Sequence, residues 1–205
     1  YLTQYNIGAT YSKRLSHSFF DGISLQADAF YHDTKDKIIA APTGSLFRWM
    51  MTNMGKVKSK GADIVVRTDM HTSDVKLFAN LTYSYLQSRD YTTINGKKMT
   101  SYGDQIPYIP WHSGSAILNG GYKSWNLNYS FVYVGERYNG GVNNIEKNKV
   151  QPWYTHDMSL QKDFNIWNYK MKVTVEMNNV FDQHYEVVYN YPMPGRNFKF
   201  IVSIE

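Results

Sequence analysis

The six histidines stand at positions 17, 32, 71, 112, 156 and 184, and no two have the close spacing that paired metal ligands need. Asp33, Asp36 and Asp104 offer the oxygen ligands that Ca²⁺ favours, but they lack an EF-hand spacing and read equally as solvated loop carboxylates. No serine occupies a nucleophile elbow, and no glycine-rich loop is laid out to cradle a phosphate. The chain has no cysteine, which excludes disulfides and thiolate metal sites. Nothing here supports catalysis or a covalently held cofactor. What remains is recognition. His184, Tyr185, Tyr189, Tyr191 and Met193 crowd one stretch, and Tyr138, Asn143 and Asn144 another. Rings and amides suit a bulky, partly apolar ligand, giving stacking area and hydrogen bonds. The same tyrosines could instead pack one loop against another, and both readings stay open. Pro192 and Pro194 shape the first stretch by fixing φ, and Gly195 permits its turn.

The elements that would position these stretches follow from a period of two. Tyr169, Met171, Val173, Val175 and Met177 share one face, opposite Lys170, Lys172, Thr174, Glu176 and Asn178. Trp125, Leu127, Tyr129, Phe131 and Tyr133 repeat the pattern. Nine strands are predicted at 3–14, 20–33, 46–69, 73–88, 110–121, 124–138, 153–164, 168–181 and 196–205. Their connections alternate between short (15–19, 70–72, 122–123, 165–167) and long (34–45, 89–109, 139–152, 182–195). Short turns on one side and long loops on the other are the signature of a porin-type barrel. The 33 aromatic residues, with Tyr83, Tyr85, Tyr133, Trp153, Tyr154 and Phe181 near strand ends, fit interfacial girdles. No run approaches the roughly 18 apolar residues of a membrane helix, and residues 1–21 do not read as a signal peptide. Net charge is +5, which invites an anionic partner such as nucleic acid or lipid headgroups. The densest basic group, Lys56, Lys58 and Lys60, shares one strand face, as a polar lumen wall or a solvated rim would; the basic residues otherwise do not cluster, and nucleic acid is not expected. A soluble β-rich adhesin or carbohydrate-binding module is the competing fold. It requires Leu127, Phe131, Val173 and Val175 to pack a core between two sheets.

Five motifs, in order, sharpen the choice. Asn178-Asn179-Val180-Phe181-Asp182-Gln183-His184-Tyr185 resembles the "N-x-F-D-x-x-Y" element before the last strand of TonB-dependent receptors, and Tyr191-Pro192-Met193-Pro194-Gly195-Arg196 resembles their "Y-P-x-P-G-R" lead into it. Asn197 to Glu205 alternates as that last strand does. Asn53 to Asp63 is similar to the family's "N-x-G-x-x-x-x-x-G-x-E" strand, with Asp63 for Glu, and Ile106-Pro107-Tyr108-Ile109-Pro110-Trp111-His112 to its "I-P-x-x-P-x-H" segment. The resemblance implies an all-β fold, an antiparallel transmembrane β-barrel segment supplying about nine strands of a 22-stranded, plugged barrel. Residues 1–205 would then be the C-terminal portion, with the plug domain, its TonB box and the earlier strands outside it. The family ends in an aromatic residue read by the barrel-assembly machinery, so such a residue is expected after Glu205. The implied role is import, not catalysis, across the bacterial outer membrane. Cobalamin (vitamin B12) and ferric siderophores lead as cargo, with haem behind and His184 as its candidate axial ligand. The implied partners are outer-membrane lipid, the TonB complex acting through the plug, the barrel-assembly machinery and a surface lipoprotein. A passive porin is a third alternative. The extracellular stretches named above carry the implied substrate contacts.

Overall fold

A computed structural model describes residues 1–15, 19–42, 49–167 and 169–204, with 41, 42, 49 and 52 described by their backbone alone. Nine strands form one sheet: β1 (Leu2–Arg14), β2 (Phe20–Pro42), β3 (Trp49–His71), β4 (Val75–Asp90), β5 (His112–Tyr122), β6 (Trp125–Val134), β7 (Trp153–Ile166), β8 (Tyr169–Asn178) and β9 (Asn197–Ile204). Each pairs antiparallel with its neighbour in sequence, so the sheet is an uninterrupted meander.

Alternation makes two unlike faces, and the register joins them across the sheet. One row on the first face runs Phe20, Met70, Leu77, Gly120, Leu127, Leu160, Val175, Phe200 from β2 to β9. Nearer the long-loop end another runs Ala9, Ala27, Ile64, Tyr83, Gly114, Tyr133, Tyr154. The opposite face carries hydroxyls and amides bonded between strands: Thr82 with Ser115 at 2.7 Å, Asn128 to Ser159 at 3.1 Å, and Asn178 to Asn197 at 3.0 Å. Lys162 is a cation on the apolar face; its ammonium bends to the turn, donating to Ser124 Oγ at 2.6 Å and lying 4.5 Å over the Trp125 ring.

Among the described residues, nothing packs on the apolar face. Leu127 and Val175 are 45% and 47% exposed, and Phe198 and Phe200 about 70% and 68%. Among the described residues the buried hydrophobics are Met54, Val57, Ile106 and Val150, none of them in the body of the sheet's apolar face. A soluble sandwich would bury Leu127, Phe131, Val173 and Val175 as its centre, and it does not form. An apolar surface of this extent needs a hydrocarbon solvent to cover it.

Both chain ends and all connections agree with a two-sided arrangement. Leu2 lies opposite Thr34 at the long-loop end, and Ile204 opposite Met171 at the short-turn end. The first long connection differs from the prediction: 34–42 continues β2 and pairs with 49–57 of β3, so each strand is 23 residues long. At about 3.3 Å per residue such a strand spans roughly 75 Å, far beyond a hydrocarbon core of about 30 Å. Residues 34–37 are polar on both faces because both faces are in water there, which is why they read as a loop. The tip, 43–48, and the turn at 16–18 with His17 lie outside the described residues, as does Glu205. β6 and β8 end earlier than predicted, at Val134 and Asn178, because Arg137–Tyr138 pairs with Lys149–Val150 and Asn179 turns to φ +50°.

Two face assignments are corrected. Trp153 shares the face of Thr155 and Asp157, opposite Val134, so it belongs to the polar side and not to a girdle. Lys56, Lys58 and Lys60 fall on the same side as Ala62 and Ile64, so they are a solvated rim above the apolar band, not lumen wall.

Gly61 shows why its motif needs glycine. A Cβ there would meet the Phe30 ring and the Tyr85 carbonyl oxygen at once. Gly61→Val is expected to cost about 1–3 kcal/mol, read as a lower denaturant midpoint for the full-length protein. An unchanged midpoint would mean that the ring does not close over this position.

Candidate functional site

The long connections after β4, β6 and β8 (91–111, 135–152 and 179–196, here L2, L3 and L4) converge at one end of the sheet. Each contains a small hairpin: Thr93–Ile94 with Lys97–Lys98, Arg137–Tyr138 with Lys149–Val150, and Glu186–Val188 with Tyr191–Pro192. The first turns on Asn95 and Gly96, both at positive φ, as Asn-Gly hairpins do.

Buried polar side chains hold the loops to one another. Gln105 is almost wholly buried; its amide accepts from Ser88 N–H at 2.8 Å and donates to the carbonyls of Leu86 and Ile109 at 3.0 and 3.3 Å. Its backbone is clasped by Asn143 of L3, whose side chain accepts the Gln105 N–H and donates to the Gln105 carbonyl at 3.1 Å. Asp104 accepts the Asn143 N–H at 3.0 Å. Arg137, also buried, ties L3 to L4: its guanidinium donates to the carbonyls of Gln151, Glu186 and Val187. Hydrogen bonds from a charged donor are worth about 1.5–3 kcal/mol each, so this clasp outweighs any rim ion pair.

L4 is braced at its own base. Asn179 donates its amide to Gln183 O at 2.9 Å and its backbone N–H to Asp157 at 2.7 Å, and accepts from Gln183 N–H at 2.9 Å. Asp182 accepts the Arg196 N–H at 2.7 Å, and a Cβ on Gly195 would stand 2.7 Å from that carboxylate oxygen. The motif residues 179–196 thus fix the path between β8 and β9.

Between L3 and L4 lies a cavity of about 370 Å³ lined by Lys149, Trp153, His184, Tyr185, Glu186 and Tyr189, with Gln151 and Pro192 among its walls. Trp153 and Tyr185 pack with ring centroids 4.7 Å apart and ring planes tilted by 33°. The Trp153 indole nitrogen is buried without a hydrogen-bond partner, a donor left over after folding. Lys149 is held by Glu136 at 2.8 Å, and that hydrogen bond raises its pKa. Burial raises the pKa of the Tyr185 phenol, and likewise that of Tyr108, which stands beside Arg137. Burial also lowers the pKa of Arg137.

Of the eight residues singled out in the sequence, the cavity gathers His184, Tyr185 and Tyr189. Tyr191 and Met193 lie in the same loop, the latter donating its N–H to Tyr185 O at 3.0 Å. Asn143 spends its amide on Gln105, Tyr138 bonds Glu136 at 3.3 Å, and Asn144 is exposed on L3. Asp33, Asp36 and Asp104 are not brought together, and among the described residues no three His, Asp or Glu converge as a metal site. Trp153, Lys149 and Arg137 were not expected. The face of Trp153 was readable from its parity with Thr155 and Asp157; the clasp of Arg137 was not readable, since its partners are carbonyls 14 to 50 residues away.

Arg137→Ala is expected to release L4, seen as faster proteolysis within 183–192 at neutral pH, with Arg137→Lys intermediate; equal cleavage in all three proteins would show that the clasp holds nothing. The raised pKa values of Tyr108 and Tyr185 mean that the folded loops favour the neutral phenols. Their contribution to stability is complete below the ordinary tyrosine value near 10 and is lost as pH rises past the higher folded values. An ultraviolet tyrosinate titration is expected to keep only part of its late-ionising component in Tyr108→Phe/Tyr185→Phe, the remainder belonging to Tyr138, which burial and Glu136 also raise.

The sequence over residues 1–180 matches the family described as TonB dependent receptor-like, beta-barrel. Solved structures share the fold. The siderophore receptor PiuA of Acinetobacter baumannii superposes with a TM-score of 0.67 at 17% identity, over 99% of this chain and 28% of that one. The ferric citrate transporter FecA, in its unliganded form, gives 0.72 at 15% identity over 99% and 31%. The FrpB iron transporter of Neisseria meningitidis gives 0.64 at 18% identity over 98% and 30%. The chain therefore spans less than a third of the length of each of these structures.

Proposed function

The chain belongs to the TonB-dependent receptor β-barrel family, whose members transport and do not catalyse, and from that premise we propose that it forms the closing wall and ligand-facing loops of a ferric siderophore importer in the bacterial outer membrane. In this reading residues 1–205 are the C-terminal portion of a larger plugged barrel. The apolar face meets lipid, the polar face meets the plug, and the long loops L2–L4 face the outside. TonB acts on the plug, and this chain supplies the wall it is pulled through.

The observation that carries the cargo class is the cavity between L3 and L4. The tilted indole–phenol pair gives an apolar wall, and Lys149, ion-paired to Glu136, together with the Glu186 carboxylate gives charged groups of both signs for the polar atoms of a chelate. The structural relatives, a siderophore receptor, a ferric citrate transporter and an iron transporter, lean the same way. His184, exposed at the cavity rim, stands alone among aromatic and amide neighbours, which favours a siderophore over haem.

The test is tryptophan fluorescence quenching of the detergent-purified full-length protein by a panel of ferric siderophores, cyanocobalamin and haemin. At least one ferric siderophore is expected to bind, and Trp153→Ala to weaken it about tenfold, the size of one lost aromatic contact. Binding of cyanocobalamin or haemin alone would overturn the siderophore assignment. Recovery of the protein in soluble form without detergent would overturn the importer reading.

A further inference from the structure

The side chains of Lys56, Lys58 and Lys60 take no part in the cavity or in the clasps between loops. On β3 the outward residues run Val66, Ile64, Ala62 and then directly Lys60, Lys58, Lys56, so the basic row begins where the apolar band stops. Its neighbours across the sheet are also basic. Lys35 of β2 lies opposite Lys56, and Arg89 of β4 opposite Lys58; Asp33 is the one carboxylate among them, 3.5 Å from the Lys56 ammonium. Successive lysines on one strand face are about 6.6–7 Å apart, and the strands about 4.8 Å apart. Five cations and one anion therefore share a patch on the order of 15 Å across.

Two features give this patch a direction. Tyr5, Tyr31 and Tyr85 stand on the same face at or just below the height of Lys60, with Tyr5 and Tyr31 ring centroids 6.4 Å apart and Tyr85 5.3 Å from the His112 ring. Aromatic rings at such a boundary mark where hydrocarbon gives way to headgroups. The charges, moreover, are only partly neutralised by the protein: like charges directly opposite in a sheet are destabilising, and here Lys35 faces Lys56 and Lys58 faces Arg89, with Asp33, opposite Lys58 and paired to Lys56, the one carboxylate against five cations. The Arg89 guanidinium lies 5.5 Å over the Trp111 ring, and its Nε is buried with no hydrogen-bond partner. Ammonium groups with a guanidinium at headgroup height match phosphate oxygens in charge and in donor geometry.

We infer that Lys35, Lys56, Lys58, Lys60 and Arg89 form a binding surface for the phosphate-bearing headgroups of outer-leaflet lipids, fastening lipid to the barrel wall beside β2–β4. The inference rests on the outer-membrane orientation proposed above. Binding of this kind falls by about fivefold for each surface lysine removed, and it weakens with salt.

The experiment uses the full-length protein in neutral detergent and native mass spectrometry with a bisphosphorylated glucosamine lipid (lipid A) as probe. K56Q/K58Q/K60Q is expected to bind it about 100-fold more weakly than the parent, while K97Q/K98Q, which removes two exposed charges at the tip of L2, binds as the parent does. Equal affinity in the parent and the triple variant would overturn the inference, as would equal parent affinity for the enzymatically dephosphorylated lipid. Displacement of the lipid by equimolar inorganic phosphate would show a free-anion site and overturn the lipid assignment. Membrane fractionation of the same cells separates the two readings: a parent protein found in the outer membrane but failing the lipid test refutes the patch alone, and a parent protein found elsewhere refutes the orientation on which the patch depends.

Discussion

Register is the constraint on which everything else depends. A strand's side chains alternate, so a slip of one residue would carry Leu127, Leu160 and Val175 from the apolar face to the polar one and expose Asn128, Ser159 and Glu176 in their place. No hydrophobic centre would correct the error, because the sheet has none. The pairing is held instead by the fit of both faces to different surroundings and by the backbone ladder, which joins every neighbouring pair of strands and leaves open edges along β1 and β9. The short turns at 72–74 and 123–124 cooperate, closing after three and two residues and leaving few alternative registers.

The loop end works by the opposite rule. There the buried groups are mostly polar: Gln105, Arg137, Asp90, Ser88 and Asn179 are all nearly inaccessible, and the small apolar cluster of Met54, Val57 and Ile106 is a minor partner. Gln105, Arg137 and Asn179 are matched chiefly to backbone carbonyls and N–H groups, so the loops are fastened largely through their main chains, while Ser88 bonds the Ser59 hydroxyl and Asp90 the Ser101 hydroxyl as well as Thr92 N–H. The walls of the cavity can therefore vary in side chain without losing the frame. Arg137 sits behind the cavity and holds both of its walls, since Gln151 and Glu186 line it and their carbonyls receive the guanidinium.

Much of this was legible in the sequence, and the reason is physical. Period two writes the faces of a strand directly into residue order, so nine strands, their sequence and the sidedness of their connections could be read. The failures cluster where the two faces stop differing. Residues 34–42 continue a strand in water on both sides, and polar residues such as Lys35, Asp36 and Lys37 then read as loop. Trp153 suits a girdle by residue type alone, but its parity with Thr155 puts it on the other side. The Gln105–Asn143 and Arg137–Glu186 clasps leave no pattern, because a carbonyl acceptor has no sequence signature. The motif residues Asn179, Asp182 and Gly195 were legible as a resemblance; only the coordinates show them to be a brace that sets the path of the last connection.

The meander has a further consequence, for the order in which the molecule can come into being. Every strand of the sheet pairs with its neighbour in sequence, so each hairpin can close over a short stretch of chain and pay little loop entropy. The clasps between loops join residues 38 to 50 apart, and they require both flanking hairpins to be in place first. Such contacts belong to the last stage of assembly. The cavity between L3 and L4 thus exists only in a wall whose strands have already found their partners, and a mispaired chain would have no binding site to offer.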